Sequence, residues 1–396
     1  MSRIVAIRAD RVAVPFRRPF ATGAGMWLER EAWLLRVTDA DGRKGIGEAV
    51  LEPEDGDTAA TVLRLLIREA VQGAASGDLP TGDELEGHGR PGRALRAAID
   101  AALADLGSAP VPLLLAGSGG VGVNATIPAL GPSASAEAAR QAVAAGFRTL
   151  KLKVGAERET EVLTARVGAV RSAIGDDVHI RLDANGAWDA ETAAERLAAI
   201  ARLRPEYVEQ PLADGDPALL SALRRRVRVP VAADESVTSL RAARELLDAE
   251  AVDVLVVKPS RVGGPAVVTE IAAMAADRGI PVVLSTLFET GLGIAAALRQ
   301  AALLPEVRGS DEATGEATGA GAREAPDHGL ATAGLLEHDL LAEALPVADG
   351  RMWLPEAVQQ RDVTAGDTAP GGLGVRLDER AVERYRVETI EAVGES

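Results

Sequence analysis

The sequence predicts an α/β protein in which a closed (β/α) barrel is joined to a smaller α+β domain. The first observation behind this is a pattern repeated through the middle of the chain: K-L-K-V-G (151–155), R-L-D-A-N-G (181–186), Y-V-E-Q-P-L (207–212), V-A-A-D-E-S (231–236) and V-L-V-V-K-P-S (254–260). Each is a short apolar run that ends in charge and is followed by Gly, Pro or Asn, as a buried parallel strand is when its carboxyl end enters a functional loop. The second is spacing: roughly 25 residues separate consecutive charged ends, room for a loop, a helix and a return loop. The third is length, since 396 residues suit one large barrel with a smaller domain attached.

The elements follow in chain order. Residues 3–15 and 31–38 alternate or are rich in Val, Leu and Trp, and the turn D-A-D-G-R follows, so they read as antiparallel strands. Between them lies F-A-T-G-A-G-M-W (20–27), whose Gly-spaced segment 22–25 reads as a wide hairpin loop or as a flap over an active site. G-I-G-E-A-V-L-E-P (45–53) ends this sheet, and Glu48, with no base or metal partner near it in sequence, reads as a structural carboxylate. Ala- and Leu-rich segments at 58–75 and 92–106 carry helical periodicity, and the small domain ends near Gly122. V-N-A-T-I-P-A-L (123–130) starts a new strand, and 134–146 is a helix closed by Gly. Further helices are expected near 158–174, 190–203, 215–226, 238–249 and 264–278. P-V-V-L-S-T-L-F-E-T-G-L-G (281–293) is one more strand with small residues at its end, followed by a helix through Leu304. The stretch 308–325, rich in Gly, Ala, Thr and Glu, lacks periodicity and reads as a surface loop or disordered insertion. H-G-L-A-T-A-G-L-L-E-H-D-L (328–340) resumes order. This many alternating units close into a barrel more readily than they form an open sheet.

Composition narrows the partners. Apolar residues make up 47% of the chain and the mean hydropathy is +0.06, as for a soluble enzyme. A net charge of −16 argues against nucleic acid or an anionic membrane as partner. The absence of cysteine excludes disulfides, thiolate metal sites and a cysteine nucleophile. No segment approaches a membrane span, and the start has no apolar run of signal-peptide length, so a cytoplasmic location is expected.

Along the strand ends the charged groups run Lys, Lys, Asp, Glu, Asp, Lys. Asp183, Glu209 and Asp234 are hard oxygen donors suited to Mg²⁺, with Mn²⁺ as a substitute. Any one of them could instead cap the next helix, but three in register at successive ends favour metal ligation. Lys151 and Lys153 are two apart and point to the same side of one strand. Their mutual repulsion and desolvation should depress at least one pKa toward the range useful to a base. Lys258 ends an apolar strand on the far side of the acids, and a Schiff-base role is the competing use for it. Asn185, Gln210 and Glu235 sit beside the acids as expected supporting partners. His88, His179, His328 and His338 show no metal-ligand spacing and read as surface or structural residues.

Taken together, K-L-K-V-G, L-D-A-N-G, E-Q-P-L, A-D-E-S and V-V-K-P-S-R-V-G-G resemble the enolase superfamily, and within it the muconate lactonizing enzyme subgroup. The likeness extends to R-V-A-V-P-F-R-R-P-F near the start, to G-x-G-E, and to the late G-R-M-W-L-P and P-G-G-L-G-V-R-L-D. It implies a TIM-type barrel of seven or eight units at 123–345, with an α+β capping domain from 1–122 completed by a return at 346–396. It also implies Mg²⁺ on Asp183, Glu209 and Asp234, with Lys153 and Lys258 facing each other across a small carboxylate substrate and Lys151 beside them. Substrate contacts are expected at Thr22 and Gly23 of the flap, at Leu51 of the capping loop, and at Ser285, Thr286 and Leu287. A homo-oligomer is allowed.

Reactions of this subgroup open by taking a proton from the carbon next to a carboxylate, and metal and lysine charges stabilise the enediolate that forms. Local detail is most similar to o-succinylbenzoate synthases, dehydratases of menaquinone biosynthesis: L-E-R-E-A-W-L-L-R-V, V-N-A-T-I, G-F-R-T-L-K-L-K-V-G and H-G-L-A-T. The chain departs from the subgroup at Leu51-Glu52-Pro53-Glu54, at the extra Gly in P-G-G-L and at 308–325. N-succinylamino acid racemisation stays open beside dehydration, as does another racemase or epimerase activity, and so does a catalytically silent binding barrel.

Overall fold

The computed structural model describes residues 3–22, 25–107, 115, 119–213, 215–305, 325–355 and 372–392. The chain opens with three antiparallel strands, β1 (Ile4–Thr22), β2 (Gly25–Asp39) and β3 (Lys44–Ala49). Side chains alternate between the two faces of this sheet. Ile7, Ala9, Trp33, Leu35 and Val37 are buried on one side against α1 (Gly56–Ser76) and α3 (Gly89–Leu106), with the short α2 (Gly82–Glu86) between those helices. Val12, Val14, Phe16, Ala32 and Leu34 face the other way and join the core of the barrel. The G-x-G of β3 has a packing reason. A Cβ on Gly45 would stand 2.1 Å from the Ala102 carbonyl oxygen and one on Gly47 2.0 Å from that of Ala98, so α3 lies directly on the strand.

The 22–25 connection is tighter than the wide loop expected, because the ladder continues through Phe20↔Trp27 and Ala21↔Met26 to Thr22↔Gly25. The glycines at 23 and 25 made the segment look irregular. Gly23 lies outside the described residues, as does the 308–325 stretch up to residue 324.

After β4 (Val121–Gly122), seven parallel strands follow: β5 (Ala125–Ile127), β6 (Thr149–Lys153), β7 (His179–Asp183), β8 (Tyr207–Glu209), β9 (Val231–Ala233), β10 (Val254–Val257) and β11 (Val282–Leu284). They are hydrogen-bonded in chain order. The connecting helices are α4 (Pro132–Ala144), α5 (Thr160–Ile174), α6 (Ala190–Ile200), α7 (Pro217–Arg226), α8 (Leu240–Asp248), then the single turn α9 (Pro259–Val262) with α10 (Pro265–Ala276). α11 (Gly291–Ala301) follows β11. The sheet closes through an eighth segment: His328 bridges Val123 and Gly329 bridges Ser285, both in parallel. His328 is buried there, and its Nδ1 accepts the Leu284 amide at 3.0 Å.

The C-terminal part returns to the start. β13 (Arg351–Met352) pairs with β4 on one side and with β12 (Val347–Ala348) on the other, and β14 (Arg386–Glu391) forms the outer strand of the first sheet, Asp10 opposite Thr389. Glu48 also joins sheet to barrel. Its carboxylate accepts from the Thr290 amide (2.9 Å), the Thr290 hydroxyl (2.7 Å) and the Gly293 amide (2.8 Å), where α11 begins. Among the described residues no helix is long and apolar enough to cross a membrane.

Candidate active site

Strand register brings the charged ends together. β6 and β7 pair Lys153 with Asp183, and β7 and β8 pair Asp183 with Glu209, so these three stand in one row across the barrel mouth. Asp234 follows β9 directly, and Lys258 follows β10 as the residue before α9. The backbone turns sharply in two of these places. Asn185 and Gln210 have φ of 46° and 39°, in the left-handed region that non-glycine residues rarely adopt, and such strain gathers at functional sites.

Lys151 and Lys153 both reach Asp183 Oδ2, at 2.8 and 2.7 Å, and Lys151 also donates to Glu209 Oε1 at 2.6 Å. Lys153 donates a further bond to Asn185 Oδ1 at 3.0 Å, and the Asn185 amide group passes the link on to Glu235 Oε1 at 3.0 Å. On the opposite side Lys258 donates to Asp234 Oδ2 at 2.7 Å. Gln210 ties two strand ends, accepting from the Asp234 and Ser236 amides and donating to the Leu212 carbonyl. Lys153 is the most open of the three amines, its side chain 26% exposed against 10% and 11% for Lys151 and Lys258.

At Lys151 the electrostatics run opposite to a depressed amine. Burial alone would depress the buried lysines. For Lys151, Asp183 and Glu209 outweigh it and hold the ammonium well above its ordinary range. For Lys258, burial and the Arg261 charge act downward, yet Asp234 and Glu52 raise it. Carboxylates are the hydrogen-bonded neighbours of Lys151 and Lys258, and their charge sets the upward direction at both. Burial likewise opposes ionisation of Asp183, but Lys151 and Lys153 hold it at about 2. Asp234 is held far below the carboxylate range by Lys258 and Arg261 against the same burial. Glu209 is pushed up to about 8, first by burial and then by the neighbouring Asp183 charge.

That repulsion bears on metal binding. Among the described residues no three acidic or histidine side chains stand in a metal-holding arrangement, because the carboxylates are turned onto lysine and arginine. The donor chemistry nonetheless fits a hard divalent cation. Three carboxylates, all buried, sit at adjacent strand ends, and the negative charge of Asp183 and Asp234 penalises Glu209. Glu235 Oε2, buried beside them, has no hydrogen-bond partner.

The expected substrate contacts fall in several settings. Leu51 is half-buried, its carbonyl accepting from Arg30. Ser285 and Thr286 are buried, with Thr286 paired to Thr332 at 3.0 Å, and Leu287 belongs to the main core. Thr22 ends β1 opposite Gly25. Two residues that sequence reasoning passed over lie at the centre. Arg261 donates to Asp234 Oδ1 at 2.9 Å and grips Glu52 with two bonds of 3.0 Å, joining the capping loop to the Lys258 side. Above the mouth, Phe16, Trp27 and Phe288 meet edge to face with centroids 5.5–6.3 Å apart and fasten the hairpin to the barrel.

Comparison with known proteins agrees with this architecture. The family model described as "Enolase C-terminal domain-like" matches residues 134–381. An o-succinylbenzoate synthase of Thermobifida fusca is 45% identical over 188 residues, which are 47% of this chain and 57% of that relative's length. The L-Ala-D/L-Glu epimerase of Bacillus subtilis is 30% identical over 313 residues, 76% of this chain and 85% of the relative. Among solved structures, the dipeptide epimerase of Cytophaga hutchinsonii, complexed with Mg and the dipeptide D-Ala-L-Val, superimposes with a TM-score of 0.78. Its identity is 22%, covering 98% of this chain and all of that one.

Proposed function

The chain belongs to the enolase superfamily, and on that premise we propose that it is a Mg²⁺-dependent lyase that takes a proton α to a carboxylate and eliminates water, an o-succinylbenzoate synthase. The observation that carries the reading is the pair of amines on opposite sides of the acid row, Lys153 on Asp183 and Lys258 on Asp234. The synthase of T. fusca supports the choice of reaction, although it is matched over little more than half its length.

Asp183, Glu209 and Asp234 would hold the metal, which when bound supplies fixed positive charge beside the substrate carboxylate. Lys153, the more open amine, takes the α-proton on its Nζ, leaving an enediolate. The bond from carbon to the departing hydroxyl then breaks, Lys153 returns the proton to that oxygen, and water leaves with an aromatic product. Lys258 stays protonated and stabilises the negative charge from the other face, which suits its raised pKa. Arg261 and Glu52 keep the capping loop closed on that face.

Racemisation of an N-succinylamino acid is the second reading, favoured by the second lysine and by the epimerase relative. Incubation with 2-succinyl-6-hydroxycyclohexadiene carboxylate and Mg²⁺ decides between them. Growth of absorbance from the aromatic product is expected. No product, together with racemisation of N-succinylamino acids, would replace the dehydration by the second reading.

A further inference from the structure

Arg166, on α5, is fully buried although it touches neither an acid of the row nor an amine. Its guanidinium makes bonds in several directions. Nε donates to Ser135 Oγ at 2.8 Å, Nη2 to the Pro128 carbonyl at 2.7 Å, and Nη1 to the Lys153 carbonyl at 2.6 Å and to the Glu157 carboxylate. Pro128 follows β5, Ser135 lies in the first turn of α4, Lys153 ends β6, and Glu157 is in the loop that leads to α5. A single planar fork thus fixes the carboxyl ends of two neighbouring barrel strands.

Packing α5 against the barrel does not require this. An apolar side chain would fill the space without burying a charge, and here Glu157 Oε2 is left buried without a partner. Lys258 offers the contrast. Its carbonyl is held by the amides of Arg261 (2.9 Å) and Val262 (3.2 Å) in the turn of α9, so its backbone is fixed by its own helix. Lys153 has a guanidinium in that place.

We propose that Arg166 is a positioning residue for Lys153: it fixes the backbone from which that amine leaves β6, and it acts on that face of the site alone. This rests on the reading that Lys153 carries the proton. A small displacement of a reacting group costs rate steeply, so the effect should be large on one face and small on the other.

The chain holds only four lysines, Lys44, Lys151, Lys153 and Lys258, so lysine labelled at its side-chain end gives four assignable resonances. The primary variant is Arg166→Gln with Glu157→Gln, which leaves no buried carboxylate uncompensated. Arg166→Lys is the second. In the metal-loaded protein the Lys153 resonance should shift or broaden while those of Lys258 and Lys44 stay in place. In deuterated solvent, α-proton exchange of the N-succinylamino acid enantiomer that depends on Lys153 should fall by about tenfold or more, and exchange of the other should stay within about twofold. An unmoved Lys153 resonance in a folded variant, equal changes on both faces, or unfolding of both variants overturns the proposal. The resonances need no substrate. If the wild type exchanges neither enantiomer, the racemase reading alone is lost and the spectra still decide the role of Arg166.

Discussion

Of 43 basic residues 39 are arginine (43 − 4), and three of the four lysines stand at the barrel mouth. An arginine would keep the charge there but would not give up its proton at working pH. This separates the two chemistries. Lys258→Arg should retain part of the dehydration, since that face supplies only charge, while stopping exchange of the enantiomer whose proton faces Lys258. Exchange of both enantiomers at wild-type rates in this variant would mean that the lysine roles are wrongly assigned. His328 makes a prediction about pH. Burial, and then the Arg181 charge, lower it to about 3, against 6.5 when exposed. The unfolded chain therefore binds one more proton between these values, so the stability His328 contributes is complete above pH 6.5 and is lost as pH falls toward 3, at roughly 1.4 kcal/mol per pH unit. Asn could supply an acceptor for the Leu284 amide without titrating. The denaturant midpoint of His328→Asn should fall less steeply than that of the wild type across this window, and parallel curves would refute the assignment. At this scale the row of acids and lysines was legible, because each ends an apolar run. Arg261, Glu52 and Arg166 were not. Glu52 and Arg261 are 209 positions apart, and no local pattern marks where a long side chain from a loop or helix will land.

Most elements carry their own signal. Apolar periodicity placed the barrel helices within a few residues of their observed limits, as for α5 and α10. The hairpin of β1 and β2 was harder to read, since small residues near its tip imitate a loop while the backbone continues to pair. The pairing of β14 with β1 joins the two ends of the chain, and only the family resemblance pointed to it. At β3, Gly47 permits the closest approach in the small sheet. Gly47→Ala should push α3 away and destabilise the protein by roughly 1–3 kcal/mol, read from chemical denaturation. Activity per folded molecule should fall as well, because α3 also packs on α9, Arg90 donating to the Ser260 carbonyl at 2.8 Å and Arg93 to that of Arg261 at 3.1 Å. An unchanged midpoint would mean that helix and strand are not in this close contact.

Over the whole molecule, a sheet built from both ends of the chain covers a barrel whose mouth concentrates opposite charges. Buried carboxylates at that mouth repel one another, and the lysines offset the repulsion here. The proposed reaction requires Lys153 to be free for proton transfer, with a divalent cation taking over part of the electrostatic role of the lysines. EDTA should therefore abolish turnover, and Mg²⁺ or Mn²⁺ should restore it. The most direct test of the account is the rate of aromatic product formation from 2-succinyl-6-hydroxycyclohexadiene carboxylate, measured side by side for the Mg²⁺-loaded wild type and for Lys153→Ala. The account predicts turnover by the wild type and a loss of roughly 10²–10⁴-fold in the variant, as for removal of a general acid–base group. Equal rates in the two proteins, or no product from the loaded wild type, would contradict it.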